Sequence, residues 1–164
     1  MISHRLLLLR HATTEDFRPG FADRDRRLTE QGVREAAEVG AWLREQGVTV
    51  DRVLCSSAVR TRQTLDGLGL TAPAEFADSL YSGGSETILE SVRVLDEDVR
   101  TALVIGHSPA VPGAVRDLAD PETSDPDSLI TLDRRYPPAT LSVLEFSDPW
   151  SNLITARLAL LRLP

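Results

Sequence analysis

Four leucines, Leu6 to Leu9, stand in an otherwise polar opening and stop abruptly at Arg10-His11. A run that short and that uniformly apolar reads as a buried strand, not as an amphipathic helix. After a polar stretch rich in arginine and aspartate, Asp16 to Arg27, the period changes. Thr29 is placed to cap a helix on which Val33, Ala36, Ala37, Gly40 and Leu43 recur at helical spacing, and Gly47 is placed to end it. The alternation then repeats. Val53-Leu54-Cys55 predicts a second strand, Ser56-Ser57 a cap, and Arg60 to Leu68 a helix. Phe76 marks a third, weaker strand, followed by a helix capped by Ser85 that carries Ile88, Leu89, Val92 and Leu95. Ala102 to Ile105 is a β-rich run closed by Gly106-His107. Ser108-Pro109 then serves as cap and first residue of a helix using Val111, Ala114, Val115 and Leu118.

Strands alternating with helices in this way predict an α/β fold: a three-layer α/β/α sandwich with a mainly parallel central sheet covered on both faces. Asp120 to Asp127 reads as an acidic loop. Thr140 to Phe146 and Ile154 to Leu161 read as a C-terminal strand pair joined through the turn at Ser147 to Asn152. No repeat, low-complexity tract or long linker divides the chain, so residues 1–164 are expected to form one domain.

Composition changes this picture mainly by exclusion. With 41% hydrophobic and 26% charged residues the chain is of ordinary soluble type. At this length it is expected to bury roughly 70% of its unfolded surface without metal or disulfide staples. All 18 basic residues are arginine. Without lysine there is no Walker-type phosphate loop, no Schiff base and no pyridoxal anchor. A lone cysteine, Cys55, allows no intrachain disulfide and no Cys-rich zinc cluster, and it leaves the reducing cytosol as the default compartment. A formal charge of −7 and a pI near 4.9 argue against nucleic acid and anionic membrane as partners. The opening from Met1 to Arg10 holds too few consecutive apolar residues for a signal-peptide core, and no run approaches the roughly 18 needed for a membrane span. The expected location is cytoplasmic.

The candidate chemistry sits where three of the strands end: Arg10-His11, Ser56-Ser57 leading to Arg60, and Gly106-His107. In open parallel sheets ligands bind outside the carboxyl ends of the strands, so these residues are expected at one crevice. Arg60 would lie in the first turn of a helix, where free N–H groups and the positive dipole end favour an anion. Taken singly, each has a bland reading as a surface charge or a satisfied strand-end histidine. Together, two arginines and two of only three histidines at three strand ends point to phosphate.

These residues carry a family resemblance. Leu8-Leu9-Arg10-His11-Ala12-Thr13-Thr14 resembles the opening Arg-His-Gly motif of the histidine phosphatase superfamily, also called phosphoglycerate mutase-like. Leu28-Thr29-Glu30-Gln31-Gly32 is similar to that family's Leu-Thr-x-x-Gly helix start, and Cys55 through Thr64 to its Ser-Pro-x-x-Arg-Ala-x-Gln-Thr block. Val104-Ile105-Gly106-His107-Ser108-Pro109 resembles its second-histidine motif. The likeness runs in order over residues 5–119. Leu80-Tyr81 and Tyr136-Pro137-Pro138-Ala139 further resemble the small bacterial phosphohistidine phosphatases of the SixA type. Ala12, Ser57 and Ser108 depart from the usual glycine, proline and asparagine.

The resemblance implies that His11 attacks phosphorus as a neutral imidazole, forming a phosphohistidine enzyme that water hydrolyses. Arg10, Arg60 and a protonated His107 would surround the phosphoryl group, with Thr14 adding a hydroxyl contact, and neither metal nor cofactor would be needed. Glu86 is the positional candidate for the general acid, although a carboxylate in the first turn of a helix has an equally good electrostatic explanation. Glu15 and Asp16 are poorer candidates. An alkoxide leaving group needs protonation more than an imidazole does, so an ambiguous acid fits a phosphohistidine protein as substrate. The alternatives are a broad-specificity phosphatase of small phosphate esters and a non-catalytic phosphate- or phosphoprotein-binding module. A serine-hydrolase reading of Gly106-His107-Ser108-Pro109-Ala110 fails because no histidine follows Ser108, and no zinc-ligand spacing exists. Trp42 and Trp150 read as packing residues and Cys55 as a small buried hydrophobe. His4 has no role at this level.

Overall fold

The computed structural model describes residues 4–164; Met1-Ile2-Ser3, part of the segment read as lacking a signal-peptide core, lie outside the described residues. The leucine run forms β1 (His4–Arg10). Side chains alternate across a strand, which sends Leu6 and Leu8 into one apolar layer and Leu7 and Leu9 into the other, all four fully buried. That is why the run is uniformly apolar: it is an inner strand covered on both faces.

The other strands are β2 (Arg52–Ser56), β3 (Ala74–Ala77), β4 (Thr101–Gly106), β5 (Leu141–Phe146) and β6 (Arg157–Arg162). They form one sheet in the order β3-β2-β4-β1-β5-β6. The first four in that order run parallel, while β5 and β6 are antiparallel additions. Arg10 pairs with Gly106 and Cys55 with Ile105, so the three strand ends named above lie side by side.

On one face lie α1 (Glu30–Glu45) and α2 (Val59–Leu68), packed through Val39, Leu43 and Leu68 onto Leu7, Leu9, Val53 and Leu103. The two helices touch at Gly40, where a Cβ would stand 2.2 Å from the Leu68 carbonyl oxygen. After a four-residue α3 (Ser79–Ser82), the opposite face receives α4 (Ser85–Arg93), α5 (Ala110–Leu118) and α6 (Pro126–Arg134) around Leu6, Leu8, Val104 and Trp150. Among the described residues no helix is long and apolar enough to cross a membrane.

Several local expectations are corrected. Thr29 caps α1, its hydroxyl accepting the Gly32 N–H at 3.1 Å, but the buried face is Gly32, Glu35, Ala36, Val39, Gly40 and Leu43, leaving Val33 and Ala37 exposed. Ser57, Ser85 and Ser108 cap nothing, because α2, α4 and α5 begin after Ala58, Gly84 and Pro109 without a side-chain cap. Ser56 is instead drawn into the site described below. The acidic loop is shorter than expected. Asp125 caps α6 by accepting the Ser128 N–H at 2.9 Å, and Asp125 N–H and Ser124 Oγ bond to Leu158 on β6. Leu158 lies near the amino end of β1, so this segment sits at the edge of the sheet opposite the three strand ends.

Candidate active site

The nucleophile turn is held from several sides. His11 N–H donates to Gly106 O at 3.0 Å, and Ala139 N–H reaches both the Arg10 and His11 carbonyls at 3.1 and 3.0 Å. Ala139 manages this with φ of +64°, a left-handed conformation unusual for a residue with a side chain. The Thr64 hydroxyl accepts Ala12 N–H at 3.1 Å and donates to Arg60 O at 2.7 Å, tying the turn to α2. The buried Glu35 carboxylate accepts Thr13 N–H and its hydroxyl at 2.8 and 3.0 Å. Gly32 is obligatory beside it, since a Cβ there would stand 2.1 Å from Thr13 O.

The His11 ring faces the His107 ring at a centroid separation of 5.3 Å. His11 Nδ1 lies 2.8 Å from Ala12 O. A carbonyl only accepts, so the ring proton sits on Nδ1 and Nε2 keeps its lone pair. Burial pushes the His11 pKa down to about 3, with His107, Arg60 and Arg10 pressing the same way against the Ala12 carbonyl. His107 is pushed down to about 4, chiefly by burial and then by Arg60. Both rings are therefore neutral at pH 7 in the ligand-free protein, so the protonated His107 expected around a phosphoryl group has to gain its proton as the phosphate arrives. The positive charge comes from Arg10 and Arg60.

Each arginine is partly tethered. Arg10 Nη1 donates to Tyr136 O at 2.7 Å. Arg60 donates through Nη1 to Asp23 O at 2.8 Å and through Nη2 to Asp23 Oδ2 at 3.1 Å. Asp23 opens a single 3₁₀ turn, Asp23–Asp25, and also accepts Tyr81 O–H at 2.8 Å and Arg26 Nε at 3.1 Å. The Tyr81 hydrogen bond, followed by the Arg60 pairing, holds its carboxyl below the usual aspartate range. His107 Nε2 lies 2.7 Å from Ser56 Oγ, and the Tyr81 and His107 rings meet edge to face. What remains is a set of buried nitrogens with no partner in the protein: Arg10 Nε, Arg60 Nε and His107 Nδ1. Buried polar atoms are rarely left so. Here three belong to residues gathered around His11.

Arg10, His11, Arg60 and His107 thus come together as their strand ends predict. Thr14 stands aside, its hydroxyl 3.5 Å from Arg26 Nη1. Glu86 is exposed in the first turn of α4, with no hydrogen bond or ion pair among the described residues. Asp23, Ser56, Thr64 and Glu35 escaped sequence reasoning. Asp23 is hidden in a mixed-charge stretch that reads as solvated loop, and Ser56 reads as a cap.

The model of the histidine phosphatase superfamily, branch 1, matches residues 6–80. A solved Nakamurella multipartitia protein, described as a phosphohistidine phosphatase of the SixA type, is 36% identical. It superposes with a TM-score of 0.85 over 98% of this chain and 96% of its own. The chain belongs to the histidine phosphatase superfamily. Within it, the phosphohistidine phosphatase SixA of Escherichia coli strain K12 is 33% identical over 108 residues, 62% of this chain and 67% of that protein. The solved protein histidine phosphatase SixA complexed with tungstate is 25% identical, with a TM-score of 0.78 over 96% of this chain and 95% of that one. The α/β sandwich with its six-stranded sheet is the fold of these relatives.

Proposed function

We propose that this histidine-type phosphatase removes phosphate from phosphohistidine on proteins, using His11 as nucleophile and no metal. The observation that carries the reading is the set of three unpartnered buried nitrogens on Arg10, Arg60 and His107 beside a histidine whose proton is committed to Nδ1. Donors on two guanidinium groups and an imidazole suit a tetrahedral oxyanion, and a relative of this fold has been solved with tungstate.

In the first step the His11 Nε2 lone pair attacks phosphorus, the P–Nε2 bond forms, and the bond to the leaving imidazole breaks. In the second, water attacks phosphorus, inorganic phosphate leaves, and His11 regains its lone pair. Burial serves this chemistry, because a ring with a pKa near 3 is not lost to protonation at neutral pH. Charge on the equatorial oxygens is met by the guanidinium groups, each worth about 10³-fold or more. An arriving phosphate dianion also raises the proton affinity of His107, so that His107 becomes a cationic donor only when loaded. A departing imidazole takes its proton from solvent more readily than an alkoxide does, and none of the contacts made by Arg10, His11, Arg60 or His107 brings in Glu86.

The test is to trap the intermediate. Wild-type protein mixed with a phosphohistidine protein and quenched in alkali should carry an acid-labile, alkali-stable phosphate that His11→Ala lacks, with turnover unaffected by EDTA. Equal phosphate release by wild type and His11→Ala would overturn the reading.

A further inference from the structure

Three of the four phenylalanines are on the surface: Phe17, Phe21 and Phe76 are 62%, 58% and 43% exposed, whereas Phe146 is 6% exposed. Their distribution is not scattered. Phe17 and Phe21 lie in the segment leading into the 3₁₀ turn whose Asp23 holds Arg60. Phe76 lies on the edge strand β3, paired with Cys55 just before the strand end that leads to Arg60. A chain of contacts joins the two sides. The Arg62 guanidinium covers the Phe76 ring at 4.0 Å and donates through Nε to Ser57 O at 3.0 Å. Arg24 donates to Ser57 Oγ at 2.6 Å, and the Arg18 guanidinium covers the Phe21 ring at 4.2 Å. The exposed rings and guanidinium groups lie on the two segments that meet through Arg60 and Asp23, an arc beside that pair.

Two features of the arc identify what it fits. Aromatic side chains and arginine are the types enriched at protein interfaces. Charge supplies the rest. Arg24 pairs with Asp78, which also feels Arg62 at longer range, and neither Arg18 nor Arg62 forms a close ion pair among the described residues, in a protein whose net charge is −7. Stacked on aromatic faces and outside any close ion pair, they can meet an anion from outside.

We propose that this arc docks the protein that carries the phosphorylated histidine, and that the docked surface presents carboxylates and an apolar side chain beside that histidine. The proposal rests on the phosphohistidine reading of the site and adds the partner's surface chemistry. It separates recognition from chemistry, since among the described residues none of Phe17, Arg18, Phe21 or Arg62 makes a hydrogen bond, ion pair or ring contact with the side chains of Arg10, His11, Arg60 or His107.

The test uses two labelled 15-residue peptides bearing a central hydrolysis-resistant triazole phosphonate analogue of phosphohistidine, one flanked by glutamates and a leucine, the other by lysines and a leucine. Affinity is read by fluorescence anisotropy, and turnover is followed separately on p-nitrophenyl phosphate and free phosphohistidine. Wild type should bind the acidic peptide at least tenfold tighter than the basic one. Arg18→Glu/Arg62→Glu should erase that preference and Phe17→Ser/Phe21→Ser should weaken binding of both peptides, with p-nitrophenyl phosphate turnover unchanged in each. Equal affinity of wild type for the two peptides, or wild-type affinity in the charge-reversed variant, would overturn the docking proposal. Absence of turnover on both small substrates would sink the catalytic reading while the affinity comparison still decides the docking one.

Discussion

His4 and His11 stand at the two ends of the same strand and are both buried, yet their surroundings are opposite in kind. His4 joins Phe146 and Trp150 in a three-ring cluster, at ring separations of 5.2 and 4.9 Å. Its Nδ1 meets Asp148 O at 2.9 Å and its Nε2 faces Glu97 Oε1 at 3.4 Å, while Glu97 also accepts Trp150 N–H at 2.9 Å. His11 makes no hydrogen bond or ion pair with a carboxylate among the described residues. Its electrostatic neighbours are two guanidinium groups and a second imidazole. At the amino end of the sheet the ring is packed against aromatics and set between a carbonyl and a carboxylate, although its Nε2 makes no hydrogen bond. The carboxyl end is left short of negative charge. The same residue type becomes a packing element at one end and a candidate nucleophile at the other because of its neighbours. Exchanging the roles would need a new environment, not a new side chain.

The sharpest way to break this contrast is to delete each ring. His11→Ala should abolish phosphatase turnover with little change in thermal stability. His4→Ala should keep kcat and instead destabilise the protein by about 1–3 kcal/mol, through a cavity among Phe146 and Trp150. Denaturant melts and initial rates on both variants decide it, and a kcat loss in His4→Ala comparable to that in His11→Ala would erase the distinction. Next in size is Arg60→Ala, expected to lower kcat/KM by about 10³-fold. The corresponding change at the amino end, Arg157→Ala, breaks an exposed pair with Glu145 at 2.9 Å and should leave turnover unaltered.

Acid sharpens the comparison further. Folding lowers the His11 pKa to about 3 and the His107 pKa to about 4 from an ordinary value of 6.5. Between 6.5 and those values the unfolded chain binds more protons than the folded one. Stability therefore rises with pH through that window and is lost as pH falls through it. Histidine ring NMR should show His11 and His107 neutral at pH 5.5, and saturating tungstate should move the His107 titration upward. A midpoint near 6.5 for either in the free protein would mean that the cleft is wetter than its burial implies.

The architecture was legible in the sequence because the hydrophobic pattern reports burial directly. The leucine run, the β-rich Ala102 to Ile105 segment and the terminal strand pair all fall within a few residues of β1, β4, β5 and β6. Caps were less legible, since serine bonds equally well to a helix terminus or to a side chain elsewhere, and Ser56 turns to His107. The short α3 and the start of α6 have too few apolar positions to show a period. At the site, Arg10, His11, Arg60 and His107 follow from strand ends, which are local features. Asp23 depends on a long-range pairing with Arg60 that no local pattern encodes, and the charge state of His107 depends on burial and on cationic neighbours distant in sequence.

The smallest effect is expected at Glu86, and it bears on which substrate the site suits. Its carboxylate is exposed at the amino end of α4, where the helix dipole alone favours it. Arg10, Arg60 and His107 are engaged instead by Tyr136, Asp23 and Ser56. Asp23, the carboxylate that meets Arg60, is committed to Arg60 and Tyr81 and held ionised, which makes it a poor proton donor. With neither carboxyl poised to deliver a proton, hydrolysis should depend steeply on the leaving group: fast for phosphohistidine, slow for alkyl phosphates. Glu86→Gln should then leave phosphohistidine turnover within about twofold of wild type and slow an alkyl phosphate only slightly more, in initial-rate assays on the two substrates side by side. A loss of tenfold or more confined to the alkyl phosphate would show that Glu86 reaches the departing oxygen in the loaded enzyme, and the site would then serve esters as well as phosphohistidine.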